Sequence, residues 1–383
     1  MNVITTNDAL AEACTALRQC DFVAIDTEFM RESTYWPILC LIQAAGGETE
    51  VLIDPMADGI DLQPFFDLLA DESVMKVFHA ARQDLEIFYH KGEQLIPKPM
   101  FDSQIAAMAL GLGDSIAYDN LVRMVLNRNV EKGARFTDWA RRPLSDSQKG
   151  YALADVTHLR DMYPILRDRL DEQDRLSWVA EEMGILCNPA TYALDPDEQW
   201  KRLKLRKTTP KWLAVLKASA AWREREAQTR GMPRQRVIKD EGLYELAHAA
   251  PTTPEQLVPL RSVPRGFERS KPAERLLDAI KAVIDDPKRH APKVTPPSPP
   301  PAGAGPTTEL LKVLLKLVAD DIGVAPRLIA TVPDLEAIAA SDTADVAALK
   351  GWRREVFGET ALRLKRGKIA LLLQGGKVVA RDL

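Results

Sequence analysis

The sequence predicts a multidomain protein in which an α/β unit comes first and all-α units follow. Short apolar or β-branched runs of strand length cluster before residue 80, as FVAID, LCLIQ, EVLID and VMKVF. Helical patterns dominate the rest, and a proline-rich stretch, PKRHAPKVTPPSPPPAGAGP, interrupts them at 287–306. The 383 residues are enough for two or three domains.

The strand-like runs come in close succession, so an antiparallel meander is expected for the first three. Helices are then predicted over DLQPFFDLLA, ARQDLEIFYHKG, DSQIAAMALG and DNLVRMVLN, whose apolar residues recur at three-to-four spacing. A long helix should run from Ser145 to about Asp171, because Ser145 and Gln148 form a capping box at its start. A further helix should lead from about residue 172 towards Asn188.

Composition turns basic at 201–210 (KRLKLRKTTP), which predicts a boundary. We therefore divide the chain into a first unit (1–200), a second unit (207–286), a linker (287–306) and a last unit (307–383). In the second unit a long helix should stop at Gly231, and Asp240 and Thr253 should start short ones. The linker should be an extended spacer. The last unit, including KIALLLQGG, is predicted to be mostly helical and similar in size to the second.

The net charge of −4 hides a strong asymmetry. Residues 1–200 hold 17 basic against 34 acidic residues, whereas residues 201–293 hold 22 basic against 11 acidic. A basic segment attracts polyanions, and an acidic one collects metal cations.

Several classes of protein are disfavoured. No apolar run approaches the roughly 20 residues of a membrane span, and the N-terminus lacks the charged start and apolar core of a signal peptide. The four cysteines show neither metal-ligand spacing nor disulfide density. The sequence therefore predicts a cytoplasmic protein with reduced thiols.

Four acidic residues and one tyrosine carry the chemical signal. Asp26 and Glu28 are two apart on a predicted strand and share a face, although such a pair also occurs on wet strand ends. Asp84 lies early in a helix, where an acid also stabilises the helix dipole. Tyr151 and Asp155 are four apart on the long helix and share a face, as a solvated pair also would. Several carboxylates converging with few basic residues nearby indicate a divalent metal site.

Three neighbouring residues have structural interpretations. His79, at a strand end, fits a hydrogen-bonded structural histidine. Asp102 in FDSQ is predicted to cap a helix rather than to bind metal. Arg142, which leads into the long helix, is predicted to be structural.

The chain resembles the tyrosine subclass of the DEDD exonuclease superfamily in the order of these motifs. They are D-x-E on a strand, an Asp after a strand-His-Ala turn, and Y-x-x-x-D on a helix. LCLIQ, FDSQIAA and DWARRPLSDSQKGYALADV are similar to the corresponding stretches of bacterial ribonuclease D. The second unit, through WLAVLKASAAWREREAQTRGMPRQRVIKDEGLYELA and TTPEQL, resembles the HRDC domain, and the last unit a divergent second one. The resemblance implies a ribonuclease-H-like mixed sheet with flanking helices over roughly 1–200.

The resemblance also implies an activity: 3′→5′ hydrolysis of RNA ends with release of 5′-mononucleotides, by two Mg²⁺ or Mn²⁺ ions. Asp26 would bridge both ions, and Glu28 and Asp155 would complete the site that carries the attacking water. Asp84 would serve the second ion through water molecules, and the phenol of Tyr151 would orient the attacking water. The implied substrates are tRNA precursors with 3′ extensions, and the implied state is a monomer.

Nucleic-acid contacts are expected in two places. Residues near the first motifs would cradle the RNA 3′ end: Thr27, Phe29, Met30, His79 and Gln83. Phe29 fits ordinary core packing equally well. Basic residues of the second unit would bind phosphates without reading sequence, unless they only form a solvated helix face: Arg223, Arg225, Arg230, Arg234, Arg236 and Lys239.

Two other functions remain open at this point. A DNA 3′→5′ exonuclease shares the same motifs, because the choice of sugar depends on contacts to the 2′-hydroxyl. A non-catalytic RNA-binding scaffold on the same fold is the second alternative, and the complete set of acids disfavours it.

Overall fold

The computed structural model of the protein describes residues 3–131, 133–134, 137–294, 301 and 303–383. Within these residues, the first unit is built on a six-stranded mixed sheet of order β1-β4-β3-β2-β5-β6. The strands are β1 (Val3–Ile4), β2 (Phe22–Met30), β3 (Ile38–Gly46), β4 (Thr49–Ile53), β5 (Met75–Phe78) and β6 (Met100–Asp102).

The predicted meander is confirmed, since β2, β3 and β4 pair antiparallel in sequence order. The strands β1, β5 and β6 join parallel to their neighbours. Only residues 22–24 of β2 pair with β5. Among the described strands, the remainder of β2 pairs with β3 alone.

Helices cover the sheet on both faces. They are α1 (Asn7–Leu17), α2 (Gln63–Ala70), α3 (Arg82–Lys91), α4 (Ser103–Ala109), α5 (Tyr118–Leu126), α6 (Asp146–Glu172) and α7 (Leu176–Leu186). The long helix α6 starts at the predicted capping box of Ser145 and Gln148. Its buried residues Val156, Leu159 and Met162 follow a helical period and join the core of the first unit, so α6 packs across β2, β3 and β4.

The second unit is helical, as predicted. It contains α8 (Pro210–Arg230), α9 (Arg234–Val237), α10 (Asp240–Ala249), α11 (Lys271–Ile284) and α12 (Pro287–His290). The helix α8 ends at Gly231, whose φ of +60° suits glycine. The capping box at Thr253 begins only one 3₁₀ turn. Trp200 and Leu203 already pack in this core, so the transition between the two units precedes residue 207.

The last unit combines helices with a hairpin. Its elements are α13 (Ala304–Ile322), α14 (Pro326–Ile329), α15 (Val332–Ala340), α16 (Gly351–Arg353), α17 (Glu359–Lys365), β7 (Ile369–Gln374) and β8 (Lys377–Asp382). The prediction of an extended linker over 287–306 is wrong at both ends, because α12 occupies its first four residues and α13 begins inside it. Residues 295–300 and 302 of the predicted linker lie outside the described part of the chain.

The assignment of KIALLLQGG to a helical pattern is wrong. Its residues Ile369–Gln374 form β7, which pairs antiparallel with β8. Gly375 and Gly376 form the two-residue turn, with φ of +60° and +79°. Two successive positive φ angles match the twist of a tight hairpin and exclude helix continuation.

The last unit packs directly against the first. The rings of Trp178 and Trp352 stack with centroids 4.3 Å apart and planes 7° from parallel. The Arg175 guanidinium donates to the carbonyls of Ala109, at 2.7 Å, and Gly323, at 3.1 Å. Buried side chains of both units form one continuous core. Among the described helices, none combines the length and the apolarity that a membrane span requires.

Candidate active site

Three of the four predicted carboxylates come together. Asp26, Glu28 and Asp155 each present one carboxylate oxygen, and the three oxygens lie within 4.8 Å of one another. The alternation of β2 puts Asp26 and Glu28 on the same face, as predicted. The packing of α6 across β2 brings Asp155 to that face. Oxygen donors at this spacing suit a hard divalent cation.

Asp84 lies beside this cluster, in the first turn of α3. Its side chain is buried and accepts a hydrogen bond from the hydroxyl of Thr27. Burial and then the negative charge of Asp26 raise the pKa of Asp84 well above its ordinary value. Asp84 is therefore an electrostatic neighbour of Asp26, and its role as a ligand stays a prediction.

A buried carboxylate organises the turn before Asp84. Asp102 accepts hydrogen bonds from the backbone N–H groups of Ala80, at 3.0 Å, and Ala81, at 2.8 Å. Ala80 has a φ of +57°, a left-handed conformation that a residue other than glycine rarely adopts. Asp102 also accepts from the N–H of Gln104, at 2.8 Å. The prediction of a helix cap is confirmed, and the same carboxylate holds the turn that leads into α3.

The electrostatics of the cluster are unfavourable without a cation. Burial and then the charge of Asp155 raise the pKa of Asp26 well above its ordinary value. Burial and then Asp155 also raise the pKa of the Tyr151 phenol, so this hydroxyl keeps its proton at neutral pH. Tyr151 packs near Trp139, with ring centroids 6.1 Å apart.

A cavity of about 290 Å³ opens beside the cluster. Its walls include the predicted residues Asp26, His79, Tyr151 and Asp155, together with Gln104, Tyr118, Asp119, Val130 and Leu159. Tyr118 is not among the site residues predicted from the sequence. Its phenol donates to the backbone carbonyl of Asp155 and so links α5 to the turn of α6 that carries Asp155. No local pattern marks Tyr118, because this contact exists only after α5 and α6 pack together.

The predicted contacts to the RNA 3′ end fall in different environments. Thr27 is 6% exposed and holds Asp84, so its side chain has a structural partner. Phe29 packs against the main core, and Met30 against a smaller core with Trp139. Gln83 is exposed.

His79 lies in the cavity wall, with Nδ1 2.9 Å from Ser103 Oγ. Its ring contacts Tyr118, with centroids 5.3 Å apart. Burial lowers its pKa against the opposing influence of Asp102. The structural interpretation of His79 therefore holds, and its contact with nucleic acid stays a prediction.

The six basic residues predicted as RNA contacts in the second unit differ in burial and in their partners. Arg223 is only 4% exposed and donates to the Asp240 carboxylate at 2.6 Å and to the Ile238 carbonyl at 3.1 Å. Its prediction as an RNA contact is therefore wrong, because this guanidinium is used inside the unit. Arg234 pairs at 3.0 Å with Glu224, whose side chain is fully buried.

Four basic residues of that set remain on the surface. Arg225 pairs with Asp197 at 2.6 Å and Arg230 with Glu226 at 3.9 Å. The exposed pair of Arg225 and Asp197 is weak, whereas Glu226 is only 5% exposed and also pairs with Arg275 at 2.6 Å. Arg236 and Lys239 are exposed as well.

Arg142 is structural, as predicted. It pairs with the buried carboxylate of Asp54, Nε to Oδ2 and Nη2 to Oδ1, both at 2.6 Å. Nη2 also donates to the Cys40 carbonyl at 2.6 Å. Burial opposes ionisation of Asp54, but the guanidinium outweighs it and the pKa of Asp54 is lowered. Arg142 thus fastens the start of α6 to β3 and to the end of β4.

Known proteins share this architecture. Residues 1–171 match a family model described as 3′-5′ exonuclease, and residues 213–280 match the HRDC domain. The chain is 51% identical to the ribonuclease D of Nitrobacter hamburgensis over 379 residues, which is 99% of each chain. The chain belongs to the ribonuclease D family. It is also 48% identical to the ribonuclease D of Granulibacter bethesdensis over 379 residues, 98% of this chain and 95% of that one.

A solved ribonuclease D has the same overall structure. Escherichia coli RNase D, described as an exoribonuclease involved in structured RNA processing, matches with a TM-score of 0.81 and 28% identity. The match covers 96% of this chain and 99% of that one. The resemblance to ribonuclease D and the predicted fold class, a mixed sheet with flanking helices followed by helical units, are confirmed. The HRDC model matches the second unit, and the likeness of the last unit to a second HRDC domain stays a prediction.

Proposed function

We propose that this member of the ribonuclease D family is a 3′→5′ exoribonuclease that hydrolyses RNA 3′ ends and releases 5′-mononucleotides. The observation that carries the proposal is the convergence of Asp26, Glu28 and Asp155, with Asp26, Asp155 and Tyr151 in the wall of one cavity. Asp26 and Glu28 are half-buried and Asp155 is buried, and carboxylates so close together disfavour one another unless a cation binds. A scaffold without catalysis would not need such a cluster.

The donor set fits Mg²⁺ or Mn²⁺, and we propose two ions per site. Their ligands would be Asp26, Glu28, Asp84 and Asp155, and the charge of Asp26 already interacts with Asp84 while that of Asp155 interacts with Asp26. When bound, such ions lower the pKa of a water nucleophile and stabilise the leaving 3′ oxygen. The identity and number of the ions are part of the proposal.

The protein's own groups position the reactants. The phenol of Tyr151 keeps its proton, because burial and Asp155 raise its pKa. It therefore serves as a hydrogen-bonding group that orients the attacking water, and not as a base. Tyr118 holds the backbone at Asp155, and Thr27 holds one oxygen of Asp84. These contacts limit the freedom of the acids before substrate arrives.

The second unit would supply affinity for RNA. Residues 201–293 carry twice as many basic as acidic residues, and Arg236 and Lys239 are exposed. Phosphate contacts of this kind bind without reading sequence and weaken with salt. We expect Lys239→Gln to weaken binding of a single-stranded RNA and to reduce the slope of log affinity against log salt. An unchanged slope in Lys239→Gln and Arg236→Gln would contradict this role.

The proposed substrates are tRNA precursors with 3′ extensions, bound by a monomer in the cytoplasm. The four cysteines are free, which suits a reducing compartment. Large buried cores form within the single chain, which supports a monomer.

One comparison tests the activity. Purified protein is incubated with a 3′-extended tRNA precursor and with a single-stranded DNA of the same 3′ sequence, in EDTA or with Mg²⁺. We expect 5′-mononucleotides from the RNA alone, released from the 3′ end and only with Mg²⁺. Preferential release from DNA would make the protein a DNA exonuclease. RNA binding without release in any metal would make it a scaffold, and release in EDTA would refute the metal mechanism.

A further inference from the structure

We propose that a pocket between the first and second units binds an upstream base of the RNA strand whose 3′ end is being trimmed. This inference rests on the proposed function. The pocket measures about 550 Å³ and is lined by Trp36, Ile38, Ile87, His90, Lys91 and Gly231, among others. We call it the junction pocket, because Gly231 ends α8 of the second unit while the other five residues belong to the first.

The junction pocket is continuous with the elements that carry the acids. In α3, Asp84, Ile87 and Lys91 follow i, i+3, i+7 spacing and so share one face. At about 1.5 Å per residue, Lys91 lies about 10 Å along the helix from Asp84. In the adjoining hairpin, Ile38 pairs with Met30 at the end of β2, two residues beyond Glu28. A strand with its 3′ end at the acids therefore reaches the pocket after a few nucleotides.

The lining suits a nucleobase followed by a phosphate. Trp36 is half-buried and its ring lies against that of His90, with centroids 4.0 Å apart. Burial lowers the pKa of His90, so this ring is neutral at pH 7. Ile38, which is 37% exposed, adds apolar surface, and the exposed Lys91 adds a positive charge at the rim. Aromatic rings beside a basic group are the usual means of binding single-stranded nucleic acid without sequence preference.

The loop that carries Trp36 is held in place by both units. The Tyr35 N–H donates to the Gly231 carbonyl at 3.0 Å. The Tyr35 phenol donates to the buried Glu224 and accepts from Gln228 Nε2 at 3.2 Å. The Thr34 hydroxyl donates to the Trp36 carbonyl at 2.6 Å. The aromatic surface is thus preorganised, which reduces the entropy lost when a base binds.

A substrate-walking experiment on the full-length protein tests the assignment. The probes are a ten-nucleotide single-stranded RNA and versions in which one residue, one to four positions upstream of the scissile bond, is abasic. Trp36→Leu removes the aromatic ring but keeps an apolar side chain, and Trp36→Phe restores a ring. We expect Trp36→Leu to lower kcat/KM on the intact RNA at least about fivefold, equivalent to about 1 kcal/mol of stacking, mainly through KM. Trp36→Phe should recover most of this loss.

The decisive outcome is non-additivity. At one upstream position, removal of the base should lower kcat/KM of the wild type but have no further effect in Trp36→Leu. Additive losses at every position, or unchanged trimming by Trp36→Leu, would overturn the inference. If the wild type trims no RNA at all, the proposed function itself fails.

A second variant keeps the inference testable if Trp36→Leu does not fold. Lys91 is exposed, so Lys91→Gln should leave the thermal midpoint unchanged while it raises KM and reduces the salt slope of RNA affinity by about one. Lys368→Gln removes the same charge from an exposed residue of the last unit and should change neither quantity. Equal behaviour of Lys91→Gln and Lys368→Gln would overturn the assignment.

Discussion

Replacing Asp26 by asparagine should stabilise the metal-free protein while abolishing its activity. Asp26 is half-buried. One of its carboxylate oxygens lies within 4.8 Å of oxygens of Glu28 and Asp155, a distance at which like charges repel strongly. Asparagine has the same shape and no charge. The substitution therefore removes repulsion with little loss of packing, but it also removes a predicted ligand of both ions.

The size of the effect follows from the geometry. Two full charges 4.8 Å apart repel by about 3 kcal/mol at an effective dielectric constant of about 20. Burial and Asp155 raise the pKa of Asp26, so its charge is partly suppressed already. We therefore expect Asp26→Asn to increase the free energy of unfolding in EDTA by about 1–2 kcal/mol.

Metal should reverse the order of stability. An ion present at one hundred times its dissociation constant stabilises the protein that binds it by about 2.7 kcal/mol. Thermal or urea unfolding at pH 7 should place Asp26→Asn above the wild type in EDTA and below it in saturating Mg²⁺. Asp58→Asn, at an exposed position, is the control and should follow the wild type. A less stable Asp26→Asn in EDTA, or equal stabilisation of both proteins by Mg²⁺, would refute the electrostatic reasoning.

Three further predictions concern other parts of the molecule. Tyr151→Phe should lower kcat by about a hundredfold, as expected from misoriented reactants. The shift of its thermal midpoint on Mg²⁺ addition should equal that of the wild type. Near-normal turnover would contradict the proposed role of Tyr151 in orienting the attacking water. Arg142→Met leaves the buried Asp54 unpaired and should lower the free energy of urea unfolding by about 3–5 kcal/mol at pH 7. The folded state lowers the pKa of Asp54, so this stabilisation is present above the ordinary Asp pKa of about 3.9 and is lost as pH falls through the folded value. The difference in unfolding free energy between wild type and Arg142→Met should therefore disappear in acid. A difference that persists there would contradict the ion-pair explanation. Trp352→Ala should lower the free energy of unfolding by about 3–5 kcal/mol and expose Trp178. The exposure should appear as a red shift of tryptophan fluorescence and as faster proteolysis of the last unit. An unchanged spectrum would argue against the stacked interface.

The motif residues could be predicted because their signals are local. The two-residue period of β2 places Asp26 and Glu28 on the same face, and the four-residue spacing on α6 does the same for Tyr151 and Asp155. The capping box at Ser145 involves only residues within a stretch of four. Such patterns depend on backbone geometry that neighbouring residues determine.

Other roles depend on which partner the fold supplies. Arg223 and Lys239 look alike as basic residues in a basic segment, yet Asp240 and the Ile238 carbonyl engage Arg223 inside the unit, while Lys239 stays on the surface. Tyr118 gains its role only when α5 meets α6. The hairpin of β7 and β8 was missed because an apolar run of six residues suits a strand or a helix equally.

The sequence by itself determined the order of the units, the strand-and-helix setting of the five motif residues and the resemblance to the ribonuclease D family. These depend on short-range periodicity and residue type. Tertiary structure alone decided that Asp26, Glu28 and Asp155 meet within 4.8 Å, that the last unit packs on the first through Trp178 and Trp352, and that the junction pocket forms. Each of these joins residues far apart in the chain, and their contact depends on how whole helices and sheets bury their apolar faces together.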